Sequence, residues 1–310
     1  MARLLPSTVL YQVMRCVHDA LQRATRQLQV AGIPEARREA ELLLAACLKR
    51  DRAWLLAHPE WPLHERELRR FMRWLARRAK REPLAYITHQ RWFYGIPLYV
   101  ARGALIPRPE TEQLVELFLH YARQNPTGVL VDAGTGSGCI ALACLLNAPG
   151  WRAVGIDRSR RALRIAARNR NRYGLNHRWL LLQADWLTPL RPASVDVILA
   201  NPPYVLPYEW DMLQPEIRRY EPKRALLVPQ TDPLRAYRQL VQGAAIALKP
   251  GGWLALETSL TLAERVRHLL AQHGYQPLES GQPYIVSGAL PIHRHDEMGN
   301  HPLDKGRNGV

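Results

Sequence analysis

Apolar residues recur at three- and four-residue steps through the first part of the chain. Leu10, Val13, Met14, Val17, Leu21, Ala24 and Leu28 form one series, after candidate helix caps at Ser7 and Thr8. Leu68, Phe71, Met72, Leu75 and Ala79 form another, with arginines on the other faces, and Glu39 to Leu48 is an apolar-rich helical stretch between them. The spacing predicts three or four short helices with one shared apolar side, a small bundle. From Tyr86 to Val100 (YITHQRWFYGIPLYV) the texture turns aromatic and β-prone, with Gly95 and Pro97 between two short runs. That pattern predicts a hairpin. Pro107 and Pro109 flank a turn, and Glu110, Thr111 and Glu112 open another helix, acidic in its first turn as the helix dipole prefers.

After Gly128 the chain alternates strand and helix patterns. Strands are expected at Val129–Asp132, Ala153–Asp157, Trp179–Ala184, Val195–Ala200 and Trp253–Glu257, with helices at Cys139–Asn147 and Arg160–Tyr173 among those between them. This alternation predicts an α/β region, a parallel sheet covered by helices on both faces. The polar tail, His295–Val310, is expected to fray.

Composition narrows the class. A hydrophobic fraction of 47% with 23% charged residues over 310 positions excludes wholesale disorder. No apolar run approaches the roughly 18 residues that span a bilayer, and the N-terminus has no signal-peptide pattern. Cys16, Cys47, Cys139 and Cys144 form neither a CxxC pair nor a disulfide framework, which fits a reducing compartment. A cytoplasmic location is expected. His293 and His295 have no further ligands at a recognised spacing, so no metal site is expected.

The formal net charge is +16, and residues 1–108 carry 20 Lys+Arg against 9 Asp+Glu. A second concentration lies at 158–178, with eight arginines and no acidic residue. Arg161, Arg164, Arg168 and Arg172 fall on one helix face. The excess suits an acidic protein partner or nearby RNA; a well-solvated arginine-rich surface fits the same pattern.

Candidate chemistry begins at Asp132-Ala-Gly134-Thr135-Gly136-Ser137-Gly138, after the first β-like run. Its spacing is GxGxG; the dinucleotide pattern needs glycine where Cys139 stands, and no P-loop sequence occurs. Asp157, 19 residues past Gly138, ends the next strand, where an acid hydrogen-bonds ribose hydroxyls. A glycine turn with that acid, without dinucleotide spacing, points to a nucleoside cofactor lacking a pyrophosphate. S-adenosylmethionine fits. Asp132 is expected to orient the loop or the cofactor's ammonium group, and Asp185-Trp186 to flank its adenine.

Asn201-Pro202-Pro203-Tyr204 directly follows an apolar strand, at the sheet edge where such folds bind ligands. Methylating a planar NH2 group is hard because its lone pair is delocalised. The Asn201 side-chain carbonyl and the Pro202 main-chain carbonyl can accept both N–H bonds and steer the nitrogen toward tetrahedral geometry. That interaction strengthens as charge develops, so it favours the transition state. Pro203 stiffens the turn, and Tyr204 offers an aromatic face to a planar amide or base.

With these motifs the chain resembles the release factor glutamine methyltransferases. The resemblance runs from about Arg37 to Gly288 and includes REPLAYIT (81–88), FYGIPLYV (93–100), LIPRPETE (105–112), DAGTGSGCIALA (132–143), NPPY (201–204), YEP..AL (220–226) and LKPGGWLALE (248–257). It implies a helical N-terminal domain that docks the substrate (1–84), a β-hairpin linker (85–106), a seven-stranded Rossmann-like methyltransferase domain (107–294) and a flexible tail (295–310). It implies cofactor contacts at Gly134, Thr135, Gly136, Ser137, Gly138, Asp157, Trp186 and Asn201. Substrate contacts are implied at Asn201, Pro202, Pro203 and Tyr204, with Asn201, Pro202 and Tyr204 acting in catalysis. The implied reaction is methylation, by S-adenosylmethionine, of the glutamine side chain in the GGQ loop of peptide chain release factors, leaving S-adenosylhomocysteine. The chain departs from the family at 228–238, at Glu257-Thr258-Ser259 in place of EIG, and at 285–295. Rival readings are glutamine methylation of a large-subunit ribosomal protein, N6-adenine methylation of nucleic acid, and a non-catalytic scaffold in ribosome assembly.

Overall fold

The structure, a computed structural model, describes residues 16–278 and 281–291. The expected caps at Ser7 and Thr8, the start of the first apolar series, His293, His295 and the polar tail lie outside them.

Among the described residues five helices come first: α1 (Val17–Val30), α2 (Ala36–Leu48), α3 (Arg52–Ala57), α4 (Glu65–Ala79) and α5 (Leu84–Thr88). The apolar stripes meet in one core around Leu21, Leu28, Leu43, Leu44, Phe71 and Leu75. The basic faces are not uniformly solvated. Arg78, on α4, is buried, and its guanidinium bonds Glu39 of α2 and Glu216 at 2.9 Å, while Arg81 holds the other oxygen of Glu216 at 2.9 Å. Glu216 belongs to a segment that follows NPPY, so the helical region is tied by charge to the sheet-bearing part.

The hairpin is shorter than expected. Tyr86 to Thr88 finish α5, because the Tyr86 ring is buried and its hydroxyl donates to Ala104 O at 2.6 Å. Strands β1 (Gln90–Phe93) and β2 (Ile96–Tyr99) pair antiparallel. Tyr94 and Gly95, both at positive φ, make the tight turn between them. Pro109–Thr111 form a single 3-10 turn leading into α6 (Glu112–Gln124).

The remaining elements are β3 (Gly128–Ala133), α7 (Cys139–Asn147), β4 (Trp151–Asp157), α8 (Arg160–Arg172), β5 (Trp179–Gln183), β6 (Val195–Ala200), α9 (Pro215–Tyr220), α10 (Arg235–Ala247), β7 (Leu248–Glu257), α11 (Leu260–Gln272), β8 (Gln276–Leu278) and β9 (Ile285–Ala289). Seven strands lie in the order β5-β4-β3-β6-β7-β9-β8. The five strands from β5 to β7 are parallel, but β9 runs antiparallel to β7 and β8 antiparallel to β9, so the sheet is mixed rather than wholly parallel. Consecutive residues along the central strands β3, β6 and β7 feed opposite cores, as the two-residue period of a pleated sheet requires. Leu130, Val197 and Trp253 pack on one face; Val131, Ile198 and Leu254 pack on the other.

Strand order reverses at β3, which lies between β4 and β6. The carboxyl ends of these three strands carry the glycine loop, Asp157 and Asn201. An open sheet leaves a crevice at such a switch point. Among the described residues, no helix is long and apolar enough to cross a membrane.

Candidate functional site

The glycine loop is anchored from below. The N–H groups of Gly134 and Thr135 both donate to Ile156 O, at 2.8 and 2.9 Å. Asp132 is fully buried, and its Oδ2 accepts from Thr135 Oγ1 at 2.6 Å and from Ala141 N at 3.1 Å. Burial pushes the Asp132 carboxyl up to about 6, although those two donors act against the rise. Of the two roles expected for Asp132, the geometry supports the orienting one: it pins the loop to α7 and is not on a cavity wall. Gly138 caps α7 at a φ of 80°, and a β-carbon there would run into the Trp179 ring, so this glycine serves helix–strand packing.

Asn169 of α8 has no counterpart in the sequence reading. Fully buried, it accepts from Tyr99 N at 2.8 Å and donates to Tyr99 O at 3.0 Å and Ser137 O at 2.9 Å. It thereby fastens the hairpin to the loop. On the outer face of the same helix Arg161, Arg164, Arg168 and Arg172 are all exposed, with Arg168 lying 3.7 Å over the Tyr99 ring.

A cavity of about 450 Å³ opens at the sheet edge, within the size range of small-ligand sites. Gly134, Thr135, Gly136, Ser137, Asp157 and Trp186 line one side of it. Asp157 Oδ2 accepts from Gly136 N at 3.0 Å and Oδ1 from Ser159 N at 2.7 Å. Burial raises its pKa; the two backbone donors, Arg224 and Arg158 oppose that. A carboxylate so held keeps lone pairs for further donors. Trp186 sits at a left-handed φ of 45°, with its ring against Gly134. Ser137 Oγ is buried near the Cys139 thiol and has no partner within hydrogen-bond geometry, although it borders the cavity. A buried hydroxyl calls for a partner, and a bound polar ligand supplies one.

The other side carries Asn201 and Pro203, with Thr111 and Arg108. Asn201 Nδ2 donates to Thr111 Oγ1 at 3.0 Å, which leaves the amide oxygen as the end available to the cavity. Tyr204 OH donates to Glu257 Oε1 at 3.2 Å. Glu257 is buried at the end of β7, and its Oε2 has no partner within hydrogen-bond geometry. Burial raises its pKa, and the nearby Glu110 adds to the rise, while donors from Thr111, Tyr204 and Asn201 oppose it. Arg108 meets Glu221 Oε1 at 2.6 Å, and the second oxygen of Glu221 accepts from Ile106 N at 3.0 Å. The segment before α6 is thereby bound to the one after NPPY.

Three expected site residues stand apart from the wall. Gly138 is turned to Trp179, Pro202 is buried, and Tyr204 points its hydroxyl inward to Glu257 rather than laying its ring open to the cavity. A buried carboxylate draws hydroxyl donors strongly, which accounts for the Tyr204 orientation. The sequence reading missed Thr111, Arg108 and Glu257 as site residues. The first two lie within LIPRPETE, so a motif marked them without revealing a role. Among the described residues, no group of three or more His, Cys, Asp or Glu is arranged to hold a metal ion.

The family profile described as the PrmC N-terminal domain matches residues 19–88, and that of the methyltransferase small domain matches residues 110–213. The release factor glutamine methyltransferase of Cereibacter sphaeroides is 40% identical over 278 residues, covering 88% of this chain and 98% of its own length. The protein of the same name from Geobacter sulfurreducens is 40% identical over 79% of this chain and 84% of its own length. That from Caulobacter vibrioides is 36% identical, over 81% and 86%.

Proposed function

Because this chain belongs to the release factor glutamine methyltransferases, we propose that it methylates the side-chain amide nitrogen (N5) of the glutamine in the GGQ motif of peptide chain release factors. The methyl donor is S-adenosylmethionine and the other product S-adenosylhomocysteine. When bound, the cofactor supplies an electrophilic methyl group on sulfur. Asp157 suits its ribose, Trp186 its adenine, and the Gly134–Ser137 backbone with the Ser137 hydroxyl its amino-acid part. The reading is of a cytoplasmic enzyme.

The chain's own work is on the acceptor nitrogen. Asn201 Oδ1, at the cavity, accepts one N–H of the glutamine amide, and the main-chain carbonyl of Pro202, a residue otherwise buried off the wall, accepts the other. The cofactor would supply its methyl group to that nitrogen, its sulfur keeping the electron pair of the carbon–sulfur bond. The nitrogen then sheds one proton to solvent, so no base is needed beforehand. The acceptors grip more firmly as positive charge grows on nitrogen, which lowers the barrier.

The observation that carries the reading is the Asn201 amide, turned by Thr111 to offer oxygen to the cavity that Asp157 and the glycine loop also border. A GGQ loop is glycine-flanked and can extend into such a cavity, but it buries little area. Contact between the helical region and the factor would supply much of the affinity. Incubation with labelled cofactor and an intact release factor, ribosomal subunits or DNA tests this. Label is expected in the factor; label in ribosomal protein or DNA instead overturns the reading.

A further inference from the structure

The amide of Asn201 has two ends of nearly equal size, so shape alone cannot choose between them. With the oxygen toward the cavity, it accepts from an incoming NH2 group. Flipped, it sets donor against donor. Hydrogen bonding must decide, and the groups that decide are remote in sequence. Thr111, 2% exposed, takes the Nδ2 hydrogen at 3.0 Å. The Thr111 hydroxyl has one proton of its own, and it and the Asn201 amide both act on the Glu257 carboxylate as donors. An ionised carboxylate accepts and never donates, so beside Glu257 the Thr111 hydroxyl and the Asn201 NH2 are both held as donors, and the NH2 also gives to Thr111. Tyr204, in the same turn as Asn201, gives to Glu257 as well, at 3.2 Å. Glu257 is 1% exposed and off the cavity wall, so it can act on an acceptor only through these neighbours.

We propose that Thr111 and Glu257 are positioning residues for methyl transfer, holding the Asn201 amide with its NH2 turned from the cavity so that its oxygen meets the acceptor nitrogen. The proposal rests on the function argued above. It accounts for a buried carboxylate kept at the end of β7 even though its second oxygen lacks a partner within hydrogen-bond geometry. Such a group costs stability unless something requires its charge.

The test compares Thr111→Val, which keeps the shape and removes the hydroxyl, with Thr111→Ser, which keeps the hydroxyl. With intact release factor as acceptor, Thr111→Val is expected to lower kcat about tenfold or more, the scale of one lost buried hydrogen bond. KM for the factor and Kd for the cofactor should stay within about twofold of wild type, and Thr111→Ser should restore most of kcat. Glu257→Gln, which removes the charge at equal size, should lower kcat in the same selective way, and it carries the test if Thr111→Val does not fold. A second readout needs no protein substrate. The Asn201 side-chain NH2 resonances, assigned by their loss in Asn201→Asp, should exchange slowly with solvent in wild type and Thr111→Ser and rapidly in Thr111→Val. Wild-type protein that leaves the factor unlabelled overturns the proposed function, while slow exchange in wild type with loss in Thr111→Val still supports the positioning role. Folded Thr111→Val with wild-type kcat and slow exchange, or a loss that Thr111→Ser does not repair, overturns the positioning role alone.

Discussion

In the half of the cavity built by the glycine loop, most anchors lie near one another in the chain. Asp132 holds Thr135, three residues on, and Ala141, nine on, and Asp157 holds Gly136 across 21 positions of one strand–helix–strand unit. In the half built by Asn201, the anchors come from far away. Thr111 is 90 positions from Asn201, Glu257 is 53 from Tyr204, and Glu221 is 113 from Arg108. The first half is a local turn that its own motif specifies, suited to a ligand shared by many enzymes. The second is assembled only when distant segments have docked, and there the aim of one amide is set. Changes in the first half should therefore move cofactor affinity, and changes in the second should move the rate of transfer.

The largest expected effect separates the two directly. Asn201→Ala should lower single-turnover transfer roughly 10²–10³-fold, the loss seen when one preorganised polar partner is removed, while the cofactor Kd by calorimetry stays nearly constant. Wild-type turnover in that variant would erase the distinction between the halves. Asp157→Ala, the counterpart, should weaken cofactor binding by about 1.5–3 kcal/mol through loss of charge-assisted hydrogen bonds. An unchanged Kd in the folded variant removes Asp157 from the ribose role.

A third effect is on stability. The Asp132 carboxyl, at about 6 when folded against an ordinary 3.8, keeps its proton in the native state over that interval. The native protein then binds more protons than the unfolded chain, so the Asp132 contribution is greatest at the acid end and is lost as pH rises toward 6. Asp132→Asn carries no such titration. Urea unfolding should find the stability of wild type relative to Asp132→Asn falling between pH 4.5 and pH 6.5, and a parallel pair of curves contradicts this. The smallest effect concerns neither half. Replacing Arg161, Arg164, Arg168 and Arg172 together by Gln should slow association with an acidic protein partner or RNA at low salt, and the difference should fade as salt rises. An unaltered rate at low salt makes that exposed face a solvated one.

The same division explains what could be read from sequence. Gly134 and Asn201 directly follow an apolar strand and Asp157 ends one, so their place at the strands' carboxyl ends puts them at one sheet edge. The antiparallel strands β8 and β9 were not legible: β8 is only three residues long and exposed, so it carries no apolar alternation. Tyr86 read as part of a β-prone aromatic run, and the Ala104 carbonyl that receives its hydroxyl lies 18 residues away. Tyr204 read as an open aromatic face because nothing near it in sequence announces Glu257. Thr111 and Glu257 belong to motifs that the family resemblance marks, yet their roles follow from pairings that only the folded chain makes.

The most direct test of the account is mass spectrometry of an intact release factor after incubation with the protein and S-adenosylmethionine. One added methyl group is expected on the side-chain nitrogen of the GGQ glutamine, with poor modification of an isolated GGQ peptide and none when that glutamine is replaced by glutamate, which has no N–H to present. A methyl group on another residue of the factor, or undiminished transfer to the glutamate variant, contradicts it.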